Sequence, residues 1–412
     1  MRKPVHLLMI TADNHNKYYD MISIDENTWK AKYGRVGASE QVRTYSMRDW
    51  DKKYNEKIKK GYIDRSDMVE DLIEVETKSP KSEYQIIPNK TVREIVEKLQ
   101  SLAKSSVEKN YKVKSNMVTQ KMVDTAQELL DSMVNFQGTV NEFNNKLLEL
   151  FSIIPRKMKD VSDYLVSNKD DFNQKIIEES DILDTMRSQV YVKDIQEDTT
   201  KNNVNHDMTI LEALGLKIEE VTDDEISMIK DLMNESKDKF KRAWKVTNYK
   251  SEQNFYSYLK DKNIVQTKLL WHGSRSCNWF SIISQSLKIR PSGVITNGAL
   301  FGKDGIYFAN NVMKSRNYCG IRGSYWVQGN EDSGYVALFE TAYGDNPYNV
   351  YSFNNDYYDM NEKKLNMKLA GATCLHAHAG TKLTGNWHQL KNDEIIFYNE
   401  NAITIRYLVE II

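Results

Sequence analysis

Hydrophobic and polar positions change their spacing twice along this chain, and the changes mark three regions. Near the start, apolar positions gather in short runs at 5–11, 17–24 and 28–36. The turn-forming D-N-H-N and D-E-N stretches separate them, which predicts three successive strands. A stretch rich in lysine and aromatics, 47–60, reads as a helix stopped by Gly61. A polar linker, 77–88, leads into a region where apolar residues recur at helical spacing. There Thr91-x-x-Glu94 reads as a capping box opening a helix with Val92, Ile95, Val96, Leu99 and Leu102 on one face. A second stripe runs from Met117 to Met133, and a third, Phe143, Leu147, Leu148 and Phe151, stops at Ile154-Pro155. Further helices are expected at 161–165 and near 172–190. The last region is strand-rich: 265–270 reads as a strand, Ile306 to Ala309 follow a turn, and Glu394 opens a strand ahead of 403–411. The pattern predicts a multidomain α+β chain. It comprises a small β-rich module with one helix at 1–80, an all-α bundle at 89–200 and a strand-rich unit at 209–412.

Composition narrows the class. A chain of 412 residues has room for two or three cores, and its net charge of −1 gives it no global attraction for polyanions. The charge is uneven, however. Residues 28–65 hold eleven Lys or Arg against five Asp or Glu, interleaved with Tyr33, Tyr45, Trp50 and Tyr54. That mixture grips phosphates and stacks on exposed bases. Cys277, Cys319 and Cys374 form no C-x-x-C pair, which argues against a disulfide framework or a zinc finger. The opening residues are too briefly apolar for a signal peptide, and no run reaches membrane-span length. The expectation is a soluble intracellular protein without a membrane partner, nuclear in a eukaryote and cytoplasmic in a bacterium or a bacterial virus.

Candidate chemistry is densest over 269–319. L-L-W-H-G-S-R, F-G-K-D-G-I-Y-F-A and K-S-R-N-Y-C place polar groups at abrupt breaks in apolar runs. His272 is expected where a strand ends, and Gly273 lets a ligand approach the backbone. Gly302 and Gly305 bracket the turn before Tyr307, while Ser315 and Tyr318 fall on a short helix. One backbone clamp, one hydroxyl and two tyrosines suit a flat ring bearing a carboxamide, such as nicotinamide. His376, His378 and His388 lie in a Gly/Thr-rich stretch read as a loop, without the helical spacing of a metal site, so no metal is expected.

These words resemble the catalytic signature of poly(ADP-ribose) polymerases, with His272, Tyr307 and Glu394 at the positions of the family's His-Tyr-Glu triad. The resemblance implies a mixed α/β ADP-ribosyltransferase domain built on antiparallel sheets. It implies NAD⁺ as substrate rather than prosthetic group. His272 would then bond the adenosine ribose, Gly273 and Ser315 the carboxamide, and Tyr307 and Tyr318 would sandwich the ring. Ser274, Asn278 and Arg290 match positions around the adenosine end and pyrophosphate, and Lys314 matches a lysine beside the catalytic glutamate. The sequence departs from the family at Asp304, which interrupts the F-G-K-G turn, and at Ala299 and Leu300. It departs again at Asn392, where polymerising relatives often carry tyrosine.

The first region is similar to the WGR domain, with Tyr33 replacing the tryptophan ahead of Gly34-Arg35-Val36-Gly37. Tyr33, Gly34 and Arg35 would contact broken or nicked DNA. L-L-E-L-F-S-I-I-P and E-E-S-D-I-L-D-T-M resemble the regulatory helical domain of DNA-dependent members, which shields the NAD⁺ slot. Together the resemblances imply a DNA-break-activated ADP-ribosyltransferase that modifies itself and other acceptor proteins and elongates to poly(ADP-ribose). The alternatives are a mono-ADP-ribosyltransferase and a non-catalytic DNA-end-binding scaffold.

Overall fold

The first strand, β1 (Val5–Thr11), pairs antiparallel with β2 (His15–Ser23) from Val5↔Met21 to Thr11↔His15. β2 pairs in turn with β3 (Thr28–Arg35). The sheet is completed by two strands the apolar pattern does not announce, β4 (Gln41–Ser46) and β5 (Ile63–Asp64), in the order β4-β3-β2-β1-β5. β4 lies at the edge and is mostly exposed, so nothing in its sequence had to alternate. Its inner neighbours carry the core: Trp29 stacks on Tyr45 at 4.8 Å and meets Trp50 edge-on at 5.3 Å. Trp50 opens α1 (Trp50–Lys59), and the chain turns out of that helix at Gly61, φ +89°.

The computed structural model describes residues 1–68, 84–110, 118–134, 136–180, 182, 183, 186, 187, 190, 208–289, 300–302, 304–325, 327, 329–383 and 389–412. Of 106–110 it describes the backbone alone. These form two compact units, 1–82 with 104–200 and 83–103 with 201–412.

Helix α2 (Lys90–Asn110) divides between the units. Its cap is Asn89, whose Oδ1 accepts from the Val92 N–H at 3.0 Å, and not the Thr91 box expected from the sequence. Val92, Ile95, Val96 and Leu99 of its opening turns are buried. In the first unit, α3 (Gln120–Met133) is capped by Thr119 and α4 (Val140–Ile153) by the Thr139–Glu142 capping box. Their apolar faces share a core with Ile10 of β1 and with Met68. The expected helix at 161–165 is a single 3₁₀ turn, Ser162–Tyr164, and the chain is helical at 172–180. One polar pair sits inside this core: Arg156 and Glu179, 4% and 2% exposed, form a two-pronged ion pair.

The second unit is mixed α/β. Its larger sheet has the order β6-β7-β14-β10-β8, all antiparallel. The strands are β6 (Leu216–Glu220), β7 (Phe240–Asn248), β8 (Lys268–Gly273), β10 (Gly334–Thr341) and β14 (Ile403–Ile411). The smaller sheet has the order β11-β12-β13-β9, from β9 (Ile306–Phe308), β11 (Tyr348–Ser352), β12 (Cys374–Lys382) and β13 (Glu394–Phe397). The expectation of antiparallel sheets needs one correction, because β11 and β12 run parallel. The two sheets meet edge to edge. Trp271 N–H donates to the Ala309 carbonyl at 2.8 Å, and Ala309 N–H returns the bond at 2.9 Å. Inside the unit, Glu410 of β14 is fully buried, and Lys98, Lys241, Arg242 and Ser333 surround it.

Candidate active site

The junction of β8 and β9 is where the candidate residues gather. β8 starts at Lys268 and runs through His272 and Gly273, three residues later than the expected 265–270 strand. Pairing with β10 sets this register, from Thr341↔Lys268 to Val336↔Gly273, and leaves Val265 88% exposed. His272 is thus the penultimate residue of the strand, at the strand end where it was expected. Its Nδ1 is 2.9 Å from the Tyr307 carbonyl oxygen on β9. A carbonyl can only accept, so Nδ1 carries the proton and Nε2 of the neutral ring is an acceptor. Phe308, Phe339 and Trp279 flank the ring at 5.6, 6.0 and 6.4 Å. This burial pulls the His272 pKa down to about 4, against the bond to Tyr307.

Gly273 is required by its neighbours. A Cβ there would stand 1.9 Å from the Ser315 carbonyl oxygen, so the backbone of β8 packs directly on α5 (Val312–Arg316). Ser315 is 4% exposed, and its carbonyl accepts from the Tyr318 N–H at 3.1 Å. Downstream of β8, Asn278 Nδ2 donates to Ser274 Oγ at 3.1 Å, and Trp279 Nε1 holds the Ser274 carbonyl at 3.2 Å. Arg290 and Ala299 lie outside the described residues, as does His388.

Tyr307 is fixed through its hydroxyl, which donates to the Gly302 carbonyl at 2.8 Å and accepts from the Phe301 N–H at 3.0 Å. Gly302 adopts φ +98°, and a Cβ there would meet the Met360 carbonyl at 2.3 Å. The turn carrying the inserted Asp304 is thus tied to the ring it precedes. Burial first, and the Glu394 charge second, push the Tyr318 hydroxyl above its ordinary pKa. Burial, Tyr398 and Glu394 do the same to Tyr307. Both tyrosines therefore lie within electrostatic reach of Glu394.

Glu394 opens β13. Its Oε1 is 2.8 Å from Lys314 Nζ, and the same ammonium donates to the Asp393 carbonyl at 3.1 Å. Burial pulls the Lys314 pKa down, against the charges of Glu394 and Asp393. Glu394 Oε2 is buried with no hydrogen-bond partner among the described residues. A buried carboxylate oxygen left this way keeps its lone pairs available to a hydroxyl proton, and the cost of leaving it unmet favours such a ligand.

Behind Glu394 stands a network that the sequence does not reveal. Asp393 Oδ1 accepts from the Ala379 N–H at 2.7 Å, and Oδ2 from Asn310 Nδ2 at 2.8 Å. His376 Nε2 lies 3.0 Å from the same Oδ2. Asn392 Oδ1 accepts from Asn311 Nδ2 at 3.2 Å. The expected histidine-bearing loop is here strand β12, with His376 buried. The H-A-H alternation was the available signal for a strand.

In the first unit, the residues expected to meet DNA are partly committed to protein. Arg35 Nη1 and Nη2 donate to the Asn14 carbonyl and Oδ1 at 2.8 and 2.6 Å. Nη2 also reaches the Met158 and Lys159 carbonyls at 3.1 and 2.8 Å. Tyr33 packs beside Tyr19 at 5.5 Å, and a Cβ on Gly34 would meet the Ser39 carbonyl at 3.2 Å.

The poly(ADP-ribose) polymerase catalytic domain matches residues 223–412, which include every element of the junction. The chain is 32% identical over 201 residues to the putative poly [ADP-ribose] polymerase-like 100L of Invertebrate iridescent virus 6. That stretch is 48% of this chain and 98% of the viral protein. It is 33% identical over 172 residues to poly [ADP-ribose] polymerase 2 of Arabidopsis thaliana, 38% of this chain and 25% of the plant protein. With poly [ADP-ribose] polymerase 1 of Gallus gallus it shares 32% identity over 169 residues, 37% of this chain and 16% of the avian protein. The matched stretch thus spans a quarter or less of the plant and avian proteins. Among the described residues, no helix is long and apolar enough to cross a membrane. With its catalytic domain at 223–412 and a viral relative matched almost end to end, this chain belongs to the poly(ADP-ribose) polymerase family.

Proposed function

We propose that this chain cleaves NAD⁺ and transfers ADP-ribose to proteins, itself included, elongating the product to poly(ADP-ribose) when it meets broken DNA. The observation that carries the reading is Glu394, one oxygen paired with Lys314 and the other buried without a partner. Breaking the nicotinamide–ribose bond leaves positive charge on the ribose. A fixed carboxylate bonded to a ribose hydroxyl stabilises that charge more in the transition state than in the ground state. The same oxygen can align an incoming hydroxyl for attack. His272, neutral with Nε2 free to accept, suits a ribose hydroxyl. The Gly273 backbone and Ser315 suit the carboxamide, and the Tyr307 and Tyr318 rings suit its two faces. Ser274, Asn278 and Arg290 would hold the adenosine end. The chemistry requires no prosthetic group and no metal.

Activation by DNA is supported by the basic, aromatic-rich 28–65 segment and by Arg35. Its guanidinium already spans the β-rich module and the 156–161 stretch of the first unit. DNA phosphate competing for those donors would loosen that link. Autoinhibition by the helical region rests on the resemblance. Any test by deletion must spare the start of α2, which is buried in the second unit. Asn392, in place of tyrosine, favours single transfer as the second reading.

Incubating the full chain with labelled NAD⁺, with and without nicked DNA, and sizing the products on a gel separates the readings. DNA-stimulated ladders support polymer synthesis, and a single modified band supports single transfer. No labelled protein from a folded chain refutes both and leaves the scaffold reading.

A further inference from the structure

His376 and His378 stand two residues apart on β12 and therefore project from the same face. Their rings stack at 3.9 Å with 23° between planes. One ligand atom from each of His376, His378 and Asp393 lies within 4.8 Å of the other two. Each ring also has an oxygen partner from outside the cluster. Tyr343 Oη is 2.7 Å from His376 Nδ1, and His378 Nε2 donates to Asn349 Oδ1 at 2.7 Å.

We propose that His376, His378 and Asp393 form a binding site for a divalent transition metal of the Zn²⁺ class, on the strand pair that carries Glu394. Two imidazole nitrogens and one carboxylate oxygen are a donor set Zn²⁺ accepts, with a fourth position left to water. Tetrahedral ligand atoms bound at about 2.0–2.1 Å sit about 3.3 Å from one another. The His376–Asp393 contact of 3.0 Å is close to that separation, and the His378 ring, with a ligand atom within 4.8 Å of both, would have to leave its stack between His376 and Tyr351 to complete the triangle. The protons can be accommodated. When the metal takes His376 Nε2, the ring proton moves to Nδ1, and the Tyr343 hydroxyl changes from donor to acceptor. His378 already donates from Nε2, leaving Nδ1 its lone pair. Such oxygen partners on the far nitrogens are the outer contacts that orient metal-bound imidazoles. Occupancy would be felt at the catalytic end, since Asp393 precedes Glu394 and its carbonyl holds Lys314. The reaction itself does not need the metal, so the site would be regulatory.

The test is direct binding to the full chain after chelator treatment, with Zn²⁺ alone by calorimetry and Co²⁺ alone by visible absorption. One Zn²⁺ per chain and a tetrahedral-type Co²⁺ band are expected. His378 is only half-buried, so His378→Ala should leave the chain folded while weakening Zn²⁺ binding at least about 100-fold. Asp393→Asn should also weaken it and abolish the Co²⁺ band. Absence of saturable binding in the wild type overturns the proposal. Binding unchanged in both variants overturns it as well, because the metal then sits on other histidines of the chain.

Discussion

Lys314 Nζ stands 2.8 Å from Glu394 Oε1 and 3.1 Å from the Asp393 carbonyl, so one buried ammonium holds both the Glu394 charge and the backbone that opens β13. Replacing it with Met removes one partner of a buried pair and leaves the carboxylate uncompensated. Lys314→Met should lower stability by about 3 kcal/mol, the usual scale for such a loss, and lower kcat more than it raises KM. Thermal melts and steady-state kinetics check this. A variant with wild-type melting and kcat would show that the pair neither holds nor orients Glu394.

Gly273→Ala tests the packing of β8 on α5. The added methyl group would overlap the Ser315 carbonyl, which is backbone and cannot swing aside. A loss of about 1–3 kcal/mol is expected from overpacking alone. NAD⁺ affinity should fall with it, because the strand and the buried Ser315 separate. Unchanged melting and unchanged KM would place the close approach outside the working site.

His272 gives a pH prediction. Its pKa is lowered from 6.5 to about 4 in the folded chain, so the ring stays neutral throughout the physiological range. The unfolded chain takes up the proton first as pH falls. The stability tied to neutral His272 is therefore complete above pH 6.5 and is lost progressively down to about 4. The contribution of His272 to the acid limb of kcat/KM should have its midpoint near 4. His272→Ala should remove that limb. A limb centred near 6.5 that disappears in His272→Ala would mean the ring is solvated and not held by Tyr307.

Arg35→Ala should cost the first unit about 2 kcal/mol through its lost bonds to Asn14, Met158 and Lys159. It should also blunt stimulation by nicked DNA. Arg35→Lys should not rescue either effect, since a single ammonium cannot reproduce the guanidinium fork. DNA stimulation unchanged in Arg35→Ala would remove this residue from the proposed sensor.

Much of this was legible in the sequence where a local pattern decides the outcome. β1 was read to the residue, and the third apolar stripe became α4 with a box at Thr139 and Glu142. Strand pairing and side-chain reach decided the rest. β8 starts three residues late because β10 sets its register, and the Thr91 box lost to Asn89, whose side chain reaches Val92 first. His376 and His378 looked like loop residues because small and polar neighbours flank them, yet β12, which pairs with β13 as far as Ala377, carries both. The candidate triad could be named from motif words. Their support by Asp393, Asn310 and His376 could not, since those contacts cross up to 83 positions of sequence.

If Glu394 supplies the charge that drives NAD⁺ cleavage, Glu394→Gln removes that charge while keeping the side chain's shape. Transfer of labelled ADP-ribose from NAD⁺ to protein should be measured for the wild type and the variant, with NAD⁺ binding followed in parallel. That role implies labelled protein from the wild type, a loss of about 10²–10³ in the variant, and little change in NAD⁺ affinity. Transfer within a few-fold of wild type in a folded Glu394→Gln chain would contradict it.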